Sequence, residues 1–413
     1  MTAENIRRVK AACYTTNVTM AVIGNLSPVL FITFRNLYGI SYSLLGLLVL
    51  INFSTQLAVD LIFSFFSHKF NIPRTVKLTP VLAVAGLILY ALAPTLFPNA
   101  VYTGIVFGTV VFSAASGLAE VLISPTIAAI PAKDPDREMS KLHSIYAWGV
   151  VGVIIISTLF LLFVGETYWQ LLAAFFALIP LLSAMLFAGC TVPSMGTPEK
   201  VSGAVSYLKR PVLWLCVAAI FLGGATECTM AQWCSGYLEK ALQIPKVWGD
   251  ILGVALFGVM LGLGRSLYAK IGKNIGKVLF WGAIGATACY LTAALCPIPI
   301  LGLFACAFTG FCASMMWPGS LVVAEQKIPD GGVFIFAMMA AGGDLGASVG
   351  PQMVGVITDT ILAAPGAATL AERLSLTAEQ LGMKAGMLAG AIFPILGIAV
   401  YALVRRSLKK KEA

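Results

Sequence analysis

Apolar residues run in blocks of about twenty along almost the whole chain, at approximately 11–34, 43–67, 76–97, 101–127, 143–164, 168–190, 211–236, 248–270, 276–297, 299–324, 333–358 and 383–404. Each block is long enough to cross a hydrocarbon core of about 30 Å as an α-helix rising about 1.5 Å per residue. A β-barrel would alternate polarity over short segments, and stretches such as "GVVGVIIISTLFLLFVG" do not alternate. The pattern predicts an all-α integral membrane protein with twelve transmembrane helices. The first block is too long for a cleavable signal peptide and is followed by eleven more, so it is expected to remain in the mature protein.

The longest polar connection, "TVPSMGTPEKVSGAVSYLKR" at 191–210, follows the sixth block. It divides the chain into an N-terminal six-helix bundle (1–190), a central loop (191–210) and a C-terminal six-helix bundle (211–413). The halves echo one another weakly: the fifth block carries "YAWGVVGV" and the eleventh "AAGGDLGASVGP", both sites where small residues let helices approach closely. Such a repeat predicts two bundles with a solute site near the membrane midplane. A second polar connection, 360–381, contains "SLTAEQL", which is read either as a plain connector or as the start of a short surface helix.

Composition agrees with a membrane chain, being 59% hydrophobic and 11% charged with a mean hydropathy of +0.91. The net charge of +9 raises the question of a nucleic-acid partner. Placing both termini inside leaves only Arg35, Lys240, Lys246, Arg373 and Lys384 outside, and puts 22 of the 27 basic residues, Arg265 among them, on the cytoplasmic side. That bias is the positive-inside rule, so the basic balance predicts a multi-pass protein of the cytoplasmic membrane and no nucleic-acid partner. The lipid bilayer is the expected environment, and a monomer the expected state.

Enzymatic chemistry has no visible candidate. "GKNIGKV" lacks the spacing of a phosphate-cradling loop, there is no nucleophile elbow or H-E-x-x-H pattern, and His68 and His143 lie in different segments. Nine cysteines sit in or beside apolar blocks without a C-x-x-C pair, so they read as packing residues and neither a metal nor any other cofactor is expected.

Polar groups inside the blocks are the informative exceptions, because an ionised carboxylate at mid-bilayer costs at least about 2.5–3.5 kcal/mol. Asp60, Glu120, Glu227 and Asp344 are read as the acids within spans and as candidates for proton coupling. In "NFSTQLAVDLIF", Asn52, Gln56 and Asp60 recur every fourth residue and so share one helix face. Ser116, Glu120 and Ser124 repeat that spacing ahead of Pro125. In "GGATECTMAQW", Glu227 stands beside Thr226 and Thr229 and is followed by Gln232 and Trp233, a set suited to hydrogen bonding and stacking. Asn17 and Asn25, eight residues apart, share a face of the first block and together with Ser27 are candidate solute contacts, and Trp148 and Trp317 are large aromatics among small residues. The candidate solute-binding set is therefore Asn25, Asn52, Gln56, Glu120, Trp148, Glu227, Gln232, Trp233 and Trp317. Each has a plain alternative, since carboxyls and amides also glue helices together and indoles also fill gaps.

Twelve spans in two halves, "GLGRSLYAKIGKNIGK" between the eighth and ninth, and "GASVGP" in the eleventh together resemble the major facilitator superfamily. Tyr268 stands where that superfamily's cytoplasmic gate motif usually carries an acid. "GNLSPVL" in the first span and "GLAEVLISP" in the fourth resemble the fucose-galactose-proton symporter branch, with Pro28 where that branch has an aspartate. The resemblance implies alternating access by two rocking bundles, and makes Glu120 the sugar-site or proton-linked acid.

The expected function is secondary active transport of a small polar solute, a sugar or related metabolite, with H+ as coupling ion, on the ground that the span acids have no intramembrane cation to neutralise them. The alternative is export of amphipathic or drug-like compounds across a cavity edged by Met230, Met315 and Met316. A solute sensor is disfavoured because the spans consume nearly all of the chain.

Overall fold

A backbone crossing lipid must satisfy its own hydrogen bonds, which leaves helix as the local solution for every long apolar block. The computed structural model describes residues 2–66, 69–130, 135–193, 207–272, 274–328 and 332–409. His68, Lys133, Lys200, Lys273, Lys410, Lys411 and residues 194–206 of the expected central loop lie outside them.

Helices occur at all twelve blocks. They are α1 (Ala3–Tyr38), α2 (Tyr42–Phe66), α3 (Ile72–Ala91), α4 (Val101–Ala128), α5 (Pro135–Phe163) and α6 (Trp169–Phe176 continued by Leu178–Ala188). The second six are α7 (Pro211–Lys240), α8 (Leu256–Ile271), α9 (Ile275–Leu295), α10 (Pro299–Ala313 continued by Met316–Lys327), α11 (Gly332–Ala363) and α12 (Ala378–Gly390 continued by Ile392–Lys409). Among the described residues ten helical stretches are long and apolar enough to span a membrane. An eleventh is Met338–Ala363, bent by 95° into Ala367–Arg373, and the shorter apolar Trp148–Phe163 completes the set.

Caps set several ends. Asn71 accepts from the Arg74 amide at 3.2 Å to start α3, and Asn274 from that of Lys277 at 3.0 Å to start α9. "SLTAEQL" begins neither a connector nor a separate surface helix: Thr377 and Gln380 form a reciprocal capping box that opens α12 itself. A π-helical turn at Gly249–Ala255 leads into α8.

Internal packing gives two compact units, Met1–Tyr38 with Ile51–Val201, and Gly39–Leu50 with Ser202–Ala413. In the first, Tyr90, Phe34 and Trp169 pack edge to face, and the Tyr90 hydroxyl meets Ser27 at 2.8 Å. Asn17 donates to the Leu142 carbonyl at 2.7 Å, tying α1 to α5.

In the second, α7 and α11 touch backbone to backbone. A Cβ on Gly346 would lie 2.0 Å from the Phe221 carbonyl oxygen, and one on Gly224 would lie 2.5 Å from that of Gly343. The four-residue spacing of Gly342, Gly346 and Gly350 is what permits the approach. Three buried tyrosines then staple helices by donating to carbonyls: Tyr290 to Thr226, Tyr401 to Ala219 and Tyr237 to Ala293, each at 2.7–2.8 Å. The first turn of α2 belongs to this unit, where the Asp359 carboxylate accepts from the amides of Tyr42 and Ser43 at 3.2 and 2.6 Å.

Candidate functional site

Two polar arrangements stand out, one in each unit. In the first unit the expected stripe of α2 faces α4 at Ser113, Gly117 and Glu120; Glu120 belongs to the expected α4 stripe, and Ser113 and Gly117 do not. Asn52 Oδ1 accepts from Ser113 Oγ at 2.6 Å and from Gln56 Nε2 at 3.1 Å. One turn further, α4 closes on the α2 backbone at a glycine: a Cβ on Gly117 would lie 3.1 Å from both Cα and O of Gln56. One turn beyond that, Asp60 and Glu120 come within range of direct electrostatic interaction. Asp60 is half-buried, and its Oδ1 has no hydrogen-bond partner among the described residues, whereas Glu120 is exposed. Repulsion between two such carboxylates disappears when the pair takes up one proton, so the arrangement can hold and release a proton.

In the second unit Glu227 lies near the middle of α7, about 24 Å from Pro211 and about 20 Å from Lys240 at 1.5 Å per residue. Its carboxylate meets Nη2 of Arg265 at 3.3 and 3.4 Å. Arg265 lies within α8, as its place in the 248–270 block predicts, about 9 Å from the helix end at Ile271. This corrects one expectation: Glu227 does have an intramembrane cation.

The anchor for Arg265 follows from a single proline. The Ser314 carbonyl would ordinarily accept from the amide four residues on, but that residue is Pro318, which has no N–H. α10 breaks there, between Ala313 and Met316, and Arg265 Nε donates to the freed carbonyl at 3.1 Å. A guanidinium left 45% exposed at this depth is costly unless it faces water, since hydrocarbon exposure costs at least about 2.5–3.5 kcal/mol.

The remaining candidates scatter. Asn25 is half-buried and donates to Ala21 of its own helix at 2.9 Å, and Trp148 is 73% exposed. Gln232 is buried. Trp233 is enclosed, donating to the Pro351 carbonyl at 2.8 Å and packing on Tyr42, so its indole is committed to helix packing rather than offered to a solute. Trp317 is half-buried with its ring lodged in the notch left by Gly224 and Gly343. Asp344 is buried in α11, near enough to Cys228 to act on it electrostatically. Met230, Met315 and Met316, expected at a cavity edge, are instead buried in helix packing. Tyr268 lies over Gly272 and against the apolar core, so the place of the gate motif's acid is filled by an aromatic contact.

Sequence reasoning missed two groups besides the Arg265 anchor. Asp250 is a fifth acid within the spans, fully buried and 3.5 Å from Lys246, which also donates to Ser235 at 3.0 Å. Its i,i+4 spacing in "KVWGD" was the available signal. Asp359, the cap of α2, gave none. The described cysteines are all free thiols, and no group of three potential metal ligands occurs among the described residues.

The sequence profile of the Major Facilitator Superfamily matches residues 12–351. No curated protein sequence matches the chain. Among solved structures, the chain is similar to a bacterial homologue of the human lysosomal transporter Spinster in an inward-facing, unoccupied conformation. That likeness has 14% identity and a TM-score of 0.75 over 99% of both chains. It is similar also to an aspartate-to-alanine mutant of the nucleoside transporter NupG (10% identity, TM-score 0.72, 97% of this chain and 99% of that one). A third likeness is to a D-xylose-proton symporter (16% identity, TM-score 0.66, 94% and 96%). At such identities these likenesses carry the fold, and with a profile match over most of its length the chain belongs to the Major Facilitator Superfamily.

Proposed function

We propose that this protein is a secondary active transporter that moves a small polar solute, a sugar or related metabolite, across the cytoplasmic membrane by alternating access, coupled to protons through Asp60 and Glu120. The observation that carries the coupling is that those two carboxyl groups lie within electrostatic range of one another at the end of the α2–α4 polar ladder, with one Asp60 oxygen buried and unbonded among the described residues. A pair that takes a proton from one side and gives it up on the other needs no cofactor.

The solute class draws support from the names of the structural neighbours, a xylose-proton symporter and a nucleoside transporter. The "GLAEVLISP" likeness to the fucose-galactose-proton symporter branch, in which Glu120 would be the sugar-site or proton-linked acid, is in keeping with this reading. The charge bias supports cytoplasmic termini, and the polar connection at 191–210 supports a division into halves at 1–190 and 211–413. Burial of the three methionines removes the observation that favoured export of amphipathic compounds. Asn52 and Gln56 are assigned to holding the ladder, Glu227 to its pairing with Arg265, and Asp344 to helix packing.

The test is uptake into proteoliposomes carrying an imposed pH gradient, with a panel of sugars, sugar acids and nucleosides. Concentrative uptake of a panel member that collapses when an uncoupler is added is the expected result. Uptake that an uncoupler leaves unchanged would refute proton coupling.

A further inference from the structure

The guanidinium of Arg265 is under-used by the protein. It has five N–H groups. Nε–H is spent on the Ser314 carbonyl, and Nη2 reaches Glu227 at 3.3 and 3.4 Å. Those lengths exceed the roughly 2.7–2.9 Å of a charge-assisted bond, so the pair is loose rather than locked. Among the described residues Nη1 donates to nothing. The side chain is nevertheless fixed in place, because the helix break at Pro318 supplies a carbonyl that has no other amide to serve.

Exposure divides the pair unequally: Arg265 is 45% exposed and Glu227 only 16%. The open side of the pair is therefore the cationic one. The other acid of this region, Asp344, is 5% exposed and lies on α11 beside Cys228. A fixed, half-open guanidinium with a free edge is the geometry that binds a planar or tetrahedral oxyanion through two parallel N–H groups.

We propose that Arg265 binds an oxyanion carried by the transported solute, so that the substrate is an acidic polar metabolite such as a sugar acid or sugar phosphate, and that Glu227 is the internal anion that occupies the guanidinium when no solute is bound. This rests on the transport reading above and narrows its substrate class. It gives the two arginine contacts separate roles: Ser314 positions the group, and Glu227 competes with the solute for it.

The competition separates this reading from a structural ion pair. In a brace, removing either partner weakens the protein. Under competition, Glu227→Gln removes the rival and tightens binding of the solute, while Arg265→Lys keeps the charge, loses the fork and weakens it.

The experiment is ligand-induced thermal stabilisation of purified full-length protein in detergent, which needs no gradient. The probes are gluconate, glucose 6-phosphate and inorganic phosphate, each set against neutral glucose. The expected result is binding of at least one oxyanion probe about tenfold or more tighter than glucose, weakened about tenfold or more by Arg265→Lys and tightened by Glu227→Gln. Gluconate without the phosphates selects a carboxylate solute, and the reverse selects a phosphorylated one; either supports the proposal. Stabilisation by glucose equal to that by the oxyanions, stabilisation by no oxyanion probe, or weakened binding in Glu227→Gln would each overturn it. Gradient-driven uptake in the wild type judges the transport reading separately, because uptake of a neutral sugar would uphold transport while this anion site failed.

Discussion

Four residues after Ser314 the chain places a proline, and the position of the Arg265 guanidinium depends on it. With an N–H at that position the Ser314 carbonyl would have a helical donor and Arg265 Nε a rival. Pro318→Ala is therefore expected to leave thermal stability equal or higher, since a helix-breaking ring is gone, and to lower solute uptake by roughly threefold or more, the equivalent of about 0.6 kcal/mol. Melting temperature and initial uptake rate, measured side by side, check it; unchanged uptake would mean that the Ser314 bond does not position the guanidinium. The same scale shows what one sequence can hide. Arg265 falls inside its apolar block, but nothing in the sequence pairs it with Glu227, and only the fold brings the two together. Asn52, Gln56 and Asp60 were legible from their own four-residue period, whereas Ser113 and Gly117, which face the first two, lie off the Ser116–Glu120–Ser124 stripe.

Helices in this chain meet by two devices, glycine notches and tyrosine staples. At Gly346 the facing atom is the Phe221 carbonyl oxygen, which no side-chain rotation can move. Gly346→Val is expected to push α7 and α11 apart, at about 1–3 kcal/mol or more for overpacking against backbone. Gly258→Val in α8, where nothing lies within 4 Å of the added atom, is expected to be tolerated. Melting temperature and the monodisperse fraction on size-exclusion chromatography distinguish them, and equal losses in both would count against the notch. Apolar block length made all twelve helices legible, because lipid allows a spanning backbone few alternatives. The interruptions were less legible. At the break of α10 it is Arg265 that takes the freed Ser314 carbonyl, the π-turn before α8 had no signal in the pattern, and the capping box at Thr377 was visible while its role as the opening of α12 was not.

At the scale of the whole molecule each compact unit contributes its own polar centre: a carboxyl pair in the first, a cation with its attendant acid in the second. That division suits a symporter in which one centre handles the proton and the other the solute. Under the proposed coupling, the carboxyl pair must change protonation before the protein reorients, whereas exchange of solute at fixed protonation needs no such step. Glu120→Gln supplies a permanently neutral partner for Asp60, so exchange survives and accumulation does not. The most direct measurement compares solute counterflow with pH-gradient-driven accumulation in proteoliposomes of wild type and Glu120→Gln. Retained counterflow with accumulation lost is the predicted result, and accumulation by the variant at the wild-type level would contradict the assignment of proton coupling to the Asp60–Glu120 pair.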